Sequence, residues 1–203
     1  EDRNGYLWIG CLENLYRYDP VTESFKQYKY QNLMDRAVFA NSGINAITGD
    51  KNGRIYFGLE SNFGMTIPNA LLYYDEKEDK IKRFEDSDGL NIHNIGSMLT
   101  DKDGTLWISS TSGFLTLSPE KTLTKIELPS TVKSAGGPFS FRLVSDKKGV
   151  IWFKSGSSSL YSFEPHTKTF NQHSFSGLLG SDNNTLTTSS IAIDSTDNIW
   201  LGT

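Results

Sequence analysis

The sequence predicts an all-β chain, an array of one four-stranded unit, on three observations. A short phrase recurs five times: DRNGYLWIG from Asp2, DKNGRIYFG from Asp50, DKDGTLWIS from Asp101, DKKGVIWFK from Asp146 and DSTDNIWLG from Asp194. The aspartates stand 48, 51, 45 and 48 residues apart, which is the period of a repeat protein. Between consecutive phrases lie further short apolar runs, giving four strands for each unit of about 45–50 residues, the arithmetic of a β-propeller blade.

Within each phrase the Asp carboxylate can accept backbone N–H groups two or three residues on, and the Gly at the fourth position supplies the positive φ that closes a tight turn between antiparallel strands. Strict alternation follows: Leu7 and Ile9 face one way and Trp8 and Gly10 the other, as do Leu106 and Ile108 against Trp107. This is the second strand of the unit. Upstream lie Ile44, Ala46 and Ile47, then Ile95, Met98 and Leu99, then Phe139, Phe141, Leu143 and Val144, which read as the innermost strand. The third and fourth strands are LYRYD then FKQY, LYYD then IKRF, FLTL then LTKI, and LYSF then FNQH. The first unit opens at its turn, while residues 190–202 supply an innermost and a second strand. The expected fold is therefore about four blades of a larger ring, a single segment over residues 1–203 with units beginning near 2, 50, 101, 146 and 194. An open segment would expose blade faces to its missing neighbours or to a second copy of itself.

Composition excludes several partners. Hydrophobic residues make up 36% and aromatics 12%, and no run approaches the length of a membrane span, so no direct membrane contact is expected. A net charge of −4 with both signs interspersed provides no basic footprint for nucleic acid. The single cysteine, Cys11, cannot form an internal disulfide and reads as a small buried strand residue.

The pattern D-x-x-G-x-[LI]-W-[IF]-G, followed by an L-Y-R-Y-D-like strand and an aromatic-tipped fourth strand, resembles the two-component regulator propeller repeat. That family forms the periplasmic sensor region of bacterial hybrid two-component systems, notably those of gut Bacteroidetes that respond to polysaccharide breakdown products. The matching positions are Asp2, Gly5, Leu7 and Trp8; Asp50, Gly53, Ile55 and Tyr56; Asp101, Gly104, Leu106 and Trp107; Asp146, Gly149, Ile151 and Trp152; and Asp194, Ile199 and Trp200. Tyr56 stands in place of the Trp, Asp197 in place of the turn glycine, and Ser109 and Lys154 in place of the trailing glycine. The resemblance implies a seven-bladed parent, a periplasmic location, a noncatalytic sensing role and a histidine kinase elsewhere in the receptor. Two other propeller types share features of the phrase: streptogramin lyases, whose chemistry needs converging His and acid groups, and sialidases, whose Asp-box turn is one residue shorter. A protein-binding scaffold is the third alternative.

No catalytic or metal site is expected. His93, His166 and His173 lie 73 and 7 residues apart without a metal-ligand spacing, and each D-x-x-G turn offers one carboxylate where calcium needs several oxygens; no cofactor is implied. The Trp and Tyr that recur once per unit are expected to pack between blades. Binding should use what varies. The D-x-x-G turns share one rim, and the opposite rim carries Lys29–Asn41, Ser61–Ala70, Glu85–Asn94, Pro129–Pro138 and Ser174–Thr187. Within or beside those loops Tyr30, Arg36, Asn41, Phe63, Met65, His93, Asn94 and Arg142 form the candidate ligand-binding set, an aromatic platform with planar hydrogen-bonding groups suited to a small carbohydrate.

Overall fold

A computed structural model of the chain describes residues 1–12, 14–33, 42–50, 52–61, 65–84, 90–133, 141–154, 159–174 and 190–202. Their strands form five antiparallel sheets in chain order. The first is three-stranded, β1 (Leu7–Gly10), β2 (Leu15–Asp19) and β3 (Ser24–Tyr28). Three four-stranded sheets follow: β4 (Ser42–Gly49), β5 (Ile55–Ser61), β6 (Leu71–Asp75) and β7 (Lys80–Arg83); β8 (Ile95–Thr100), β9 (Leu106–Ser110), β10 (Gly113–Leu117) and β11 (Leu123–Lys125); and β12 (Arg142–Ser145), β13 (Ile151–Lys154), β14 (Ser159–Glu164) and β15 (Thr169–Ser174). A hairpin of β16 (Ser190–Ile193) and β17 (Ile199–Gly202) completes the series. Every sheet is a meander, and the innermost strands β4, β8, β12 and β16 pack in succession, the arrangement of propeller blades. Three strands stop short of the expected runs: β7 ends before Phe84, β11 ends before Ile126, and β12 starts at Arg142 with Phe141 just outside it, while Phe139 lies outside the described residues.

The recurring phrase is a hydrogen-bonded device. In the third sheet Asp101 Oδ1 accepts the N–H groups of Asp103 (2.9 Å) and Thr105 (3.0 Å), and Oδ2 accepts the indole N–H of Trp107 at 2.8 Å. The acceptor reach is thus two, four and six residues, not two or three. Asp2, Asp146 and Asp194 repeat the pattern with Trp8, Trp152 and Trp200 at 2.8, 2.9 and 3.0 Å. Where Tyr56 removes the indole, Arg54 Nε donates to Asp50 Oδ2 at 2.6 Å instead, so the second oxygen is satisfied in every copy. The turn glycines Gly5, Gly53, Gly104 and Gly149 hold φ of 81°, 83°, 85° and 86°, and Asp197 takes their place at 64°, a conformation Asp tolerates better than most residues.

Asp101→Asn should therefore be costly despite its equal size. The amide would set an N–H₂ donor against the Trp107 indole N–H, and about 1–3 kcal/mol of stability should be lost in urea unfolding. A stability equal to wild type would mean the indole contact is incidental.

The alternation seen in sequence separates the two faces of each sheet. Trp8 packs across the boundary on Phe57 (5.3 Å) and Tyr74 (4.8 Å) of the second sheet, and Trp107 on Phe163 (5.8 Å) of the fourth. Burial of these rings supplies the driving force for blade stacking. The trailing glycine serves the same contact: a Cβ at Gly10 would lie 2.5 Å from Ile44 Cγ2. Trp200, on the last hairpin, is 62% exposed, and Leu7 and Ile9 of β1 are 39% and 41% exposed.

Candidate functional site

The rim opposite the D-x-x-G turns is where the innermost strands begin, and two of them begin with a bulge. The pairing of β4 with β5 slips between Ile44 and Ala46, and that of β8 with β9 slips between Ile95 and Ser97. A bulge leaves one residue outside the ladder, so its polar groups can turn to other partners. At Gly96 the carbonyl accepts Asn45 Nδ2 from the preceding sheet at 3.0 Å and Arg142 Nη1 from the following sheet at 2.9 Å. Ser97 Oγ accepts the Leu143 N–H at 3.1 Å, and Ser109 Oγ donates to the Phe141 carbonyl at 3.4 Å. Three consecutive blades are tied around one carbonyl at their inner edge.

Beside this tie lies a cavity of about 270 Å³ lined by Gly10, Cys11, Leu12, Gly43, Ile44, Asn45 and Glu60. Burial pushes the Glu60 carboxyl above the ordinary range, and the Arg142 guanidinium opposes that push. The mouth therefore presents a half-buried acid, a cation and an amide within one field, a set that can donate to and accept from hydroxyl groups. Cys11 is exposed, because it follows β1 as the chain leaves the sheet; the reading of it as a buried strand residue is corrected.

The eight candidate residues divide. Arg142 is exposed at the start of β12, at the inner edge of the blades, where it meets the Gly96 carbonyl beside the axial cavity. Met65, His93 and Asn94 come together nearby, where Asn94 Nδ2 donates to the Met65 carbonyl and Asn94 Oδ1 accepts the Ile67 N–H, both at 2.7 Å. Asn94 is 7% exposed, so it clamps the loop before β6 onto the start of β8, and its ligand role is corrected to a structural one. Met65 is exposed and His93 is half-buried, its Nε2 lying 2.6 Å from Asn91 Oδ1. Tyr30 is fully buried with its hydroxyl donating to the Leu12 carbonyl at 3.4 Å, and it is corrected from rim platform to core. Arg36, Asn41 and Phe63 lie outside the described residues.

Glu60 and Asn45 were missed by sequence reasoning. Each had a signal: Glu60 ends the otherwise apolar run IYFGL, and Asn45 interrupts the apolar stretch of β4 at the bulge. Among the described residues no group of three or more His, Cys, Asp or Glu side chains is placed to hold a metal ion, and no helix is long and apolar enough to cross a membrane.

Residues 89–112, which include β8 and β9, match the family described as two component regulator propeller. No curated protein matches the chain. Solved structures do. The extracellular domain assigned to a hybrid two component system of B. thetaiotaomicron superposes with a TM-score of 0.69 at 17% identity, over 100% of this chain and 26% of that one. A second extracellular domain from the same organism, assigned to a one component system, gives 0.64 at 16% identity, over 100% and 27%. A gluconolactonase of Xanthomonas campestris gives 0.65 at 12% identity, over 98% and 66%. At these identities the likeness is one of fold. The chain spans about a quarter of the length of the first two. It is an all-β propeller segment that carries a two component regulator propeller repeat.

Proposed function

We propose that this segment belongs to the extracytoplasmic, periplasmic sensing region of a two-component receptor and that its axial mouth on the loop rim engages an oligosaccharide. The observation that carries the reading is the meeting of Asn45 and Arg142 on the Gly96 carbonyl, beside an open cavity that Asn45 lines together with Glu60, whose carboxyl feels the Arg142 charge. Paired carboxylate, amide and guanidinium groups match the alternating donors and acceptors of a polyol. The matched repeat and the extracellular domains of similar fold support the receptor context. In this reading the segment is noncatalytic, and occupancy alters blade packing or association that a kinase elsewhere in the receptor reads.

The test is a thermal-shift screen of oligosaccharides against the complete extracellular region, with Arg142→Ala as the variant. A ligand at 100 times its Kd should stabilise the wild type by about 2.7 kcal/mol by mass action; Arg142→Ala, which also gives up the bond to the Gly96 carbonyl, is read against its own ligand-free melting temperature and should lose most of the shift. No shift with any glycan would overturn this reading, and no shift together with turnover of a test substrate would replace it with a propeller enzyme.

A further inference from the structure

A second cleft lies on the opposite rim, at the boundary of the first and second sheets. It has a volume of about 330 Å³ and is lined by the D-x-x-G turn of the first unit together with Arg17, Tyr74 and Glu76. That volume falls within the ~300–1,000 Å³ of small-molecule sites. The next boundary, between the second and third sheets, shows what the repeat does by default. There the equivalent space is about 100 Å³. Arg54, at the position of Tyr6, folds onto Asp50 and reaches the Pro119 carbonyl at 3.4 Å, closing it.

The residues that keep the first boundary open are departures from the repeat. Glu76 occupies the corner after the third strand where the other units carry Pro20, Pro119 and Pro165. Arg17 stands where they carry Tyr73, Thr116 and Ser162. Both are held in place. The Arg17 guanidinium lies 4.4 Å from the Tyr6 ring centroid and donates through Nη1 to the Tyr74 hydroxyl at 3.0 Å, with Asp79 at 3.9 Å. Arg3 Nη2 donates to Glu76 Oε2 at 2.5 Å, and Nη1 to the Asn52 carbonyl at 3.0 Å.

Charge in the cleft is balanced. Of the lining residues, Arg3 faces Glu76, and Arg17 and Asp2 add one charge of each sign, the Asp2 oxygens bound to its own turn and to Trp8; behind the lining, Arg17 and Lys26 meet Asp79. Burial acts to raise the Asp79 carboxyl, but hydrogen bonds from Lys26, Tyr28 and Tyr74 hold it at about 2, so the network stays ionised at neutral pH. A balanced cleft gives a free anion no advantage, whereas guanidinium edges beside a carboxylate and phenols complement vicinal hydroxyls. We propose that this cleft is a second binding site, independent of the axial mouth, for a neutral polyhydroxylated molecule of monosaccharide size.

Isothermal titration of the full chain with D-glucose and with D-galactose tests it. At least one sugar should bind saturably in the millimolar range, and Glu76→Pro and Arg17→Gln should each weaken that binding about tenfold or more. Arg142→Ala should leave it intact, which separates this site from the axial one. Should Arg17→Gln fail to fold, Glu76→Pro decides, because proline already occupies that corner in three units. Absence of saturable binding with both sugars, wild-type binding by Glu76→Pro, a loss seen only in Arg142→Ala, or displacement of the sugar by inorganic phosphate would each overturn the proposal.

Discussion

Phe153→Ala should lower the unfolding free energy by about 3–5 kcal/mol. Phe153 is fully buried on the face of β13 that meets the third sheet. It stacks on Phe141 at 4.3 Å and on Tyr161 at 5.6 Å, and meets Phe114 at 5.7 Å and Phe170 at 6.3 Å. Removing it forfeits the burial of one ring and also leaves a void among several rings that cannot all move inward, so the cavity cost adds to the transfer cost. Phe25→Ala is the control, since Phe25 is 64% exposed; its effect should stay within about 0.5 kcal/mol. Urea unfolding followed by tryptophan fluorescence reads both. A loss below about 1 kcal/mol for Phe153→Ala would mean that the third and fourth sheets do not meet through these rings.

Gly58→Leu should be similarly damaging for the opposite reason. A Cβ built at Gly58 falls 2.5 Å from Ile95 Cγ2 and 2.9 Å from Ile95 Cβ, so any side chain is a wedge between the second and third sheets. Ile95 is fully buried at the start of β8 and has nowhere to withdraw. Overpacking of this kind costs about 1–3 kcal/mol, and the backbone shift needed here places it at the upper end. The double variant Gly58→Leu with Ile95→Ala should recover part of the loss, because the second change removes the atoms struck by the first. Strict additivity of the two single effects would show that they do not touch. The third unit meets the same requirement differently: Ser109 sits fully buried at that position and gives its hydroxyl to the Phe141 carbonyl.

Much of the fold was legible because the information is local. The Asp–Gly turn, the alternation after it and the indole that returns to the same carboxylate all lie within seven consecutive residues. Five repetitions of that pattern outweigh any one departure. The substitution at Tyr56 shows the limit: from sequence it reads as a lost Trp, whereas Arg54, two residues earlier, has taken over the bond to Asp50. Placement of side chains in the loops was less legible. Tyr30 follows the fourth strand of its unit and looks like a rim residue, yet the chain turns inward there and buries the ring. Asn94 looks like a ligand group and is consumed in bridging two segments.

By itself, then, the sequence determined the strands, the turns, the blade period and which face of each sheet carries the interlocking aromatics, since these follow from propensities and hydrogen bonds between near neighbours. Only the tertiary structure decided which groups meet. Asn45, Gly96 and Arg142 stand 51 and 46 residues apart along the chain and converge because blades stack radially about a common axis. Arg17 and Tyr74, 57 residues apart, are joined for the same reason. Turn chemistry has no range at such separations; the packing of one buried sheet face on the next fixes them, and with them both candidate sites.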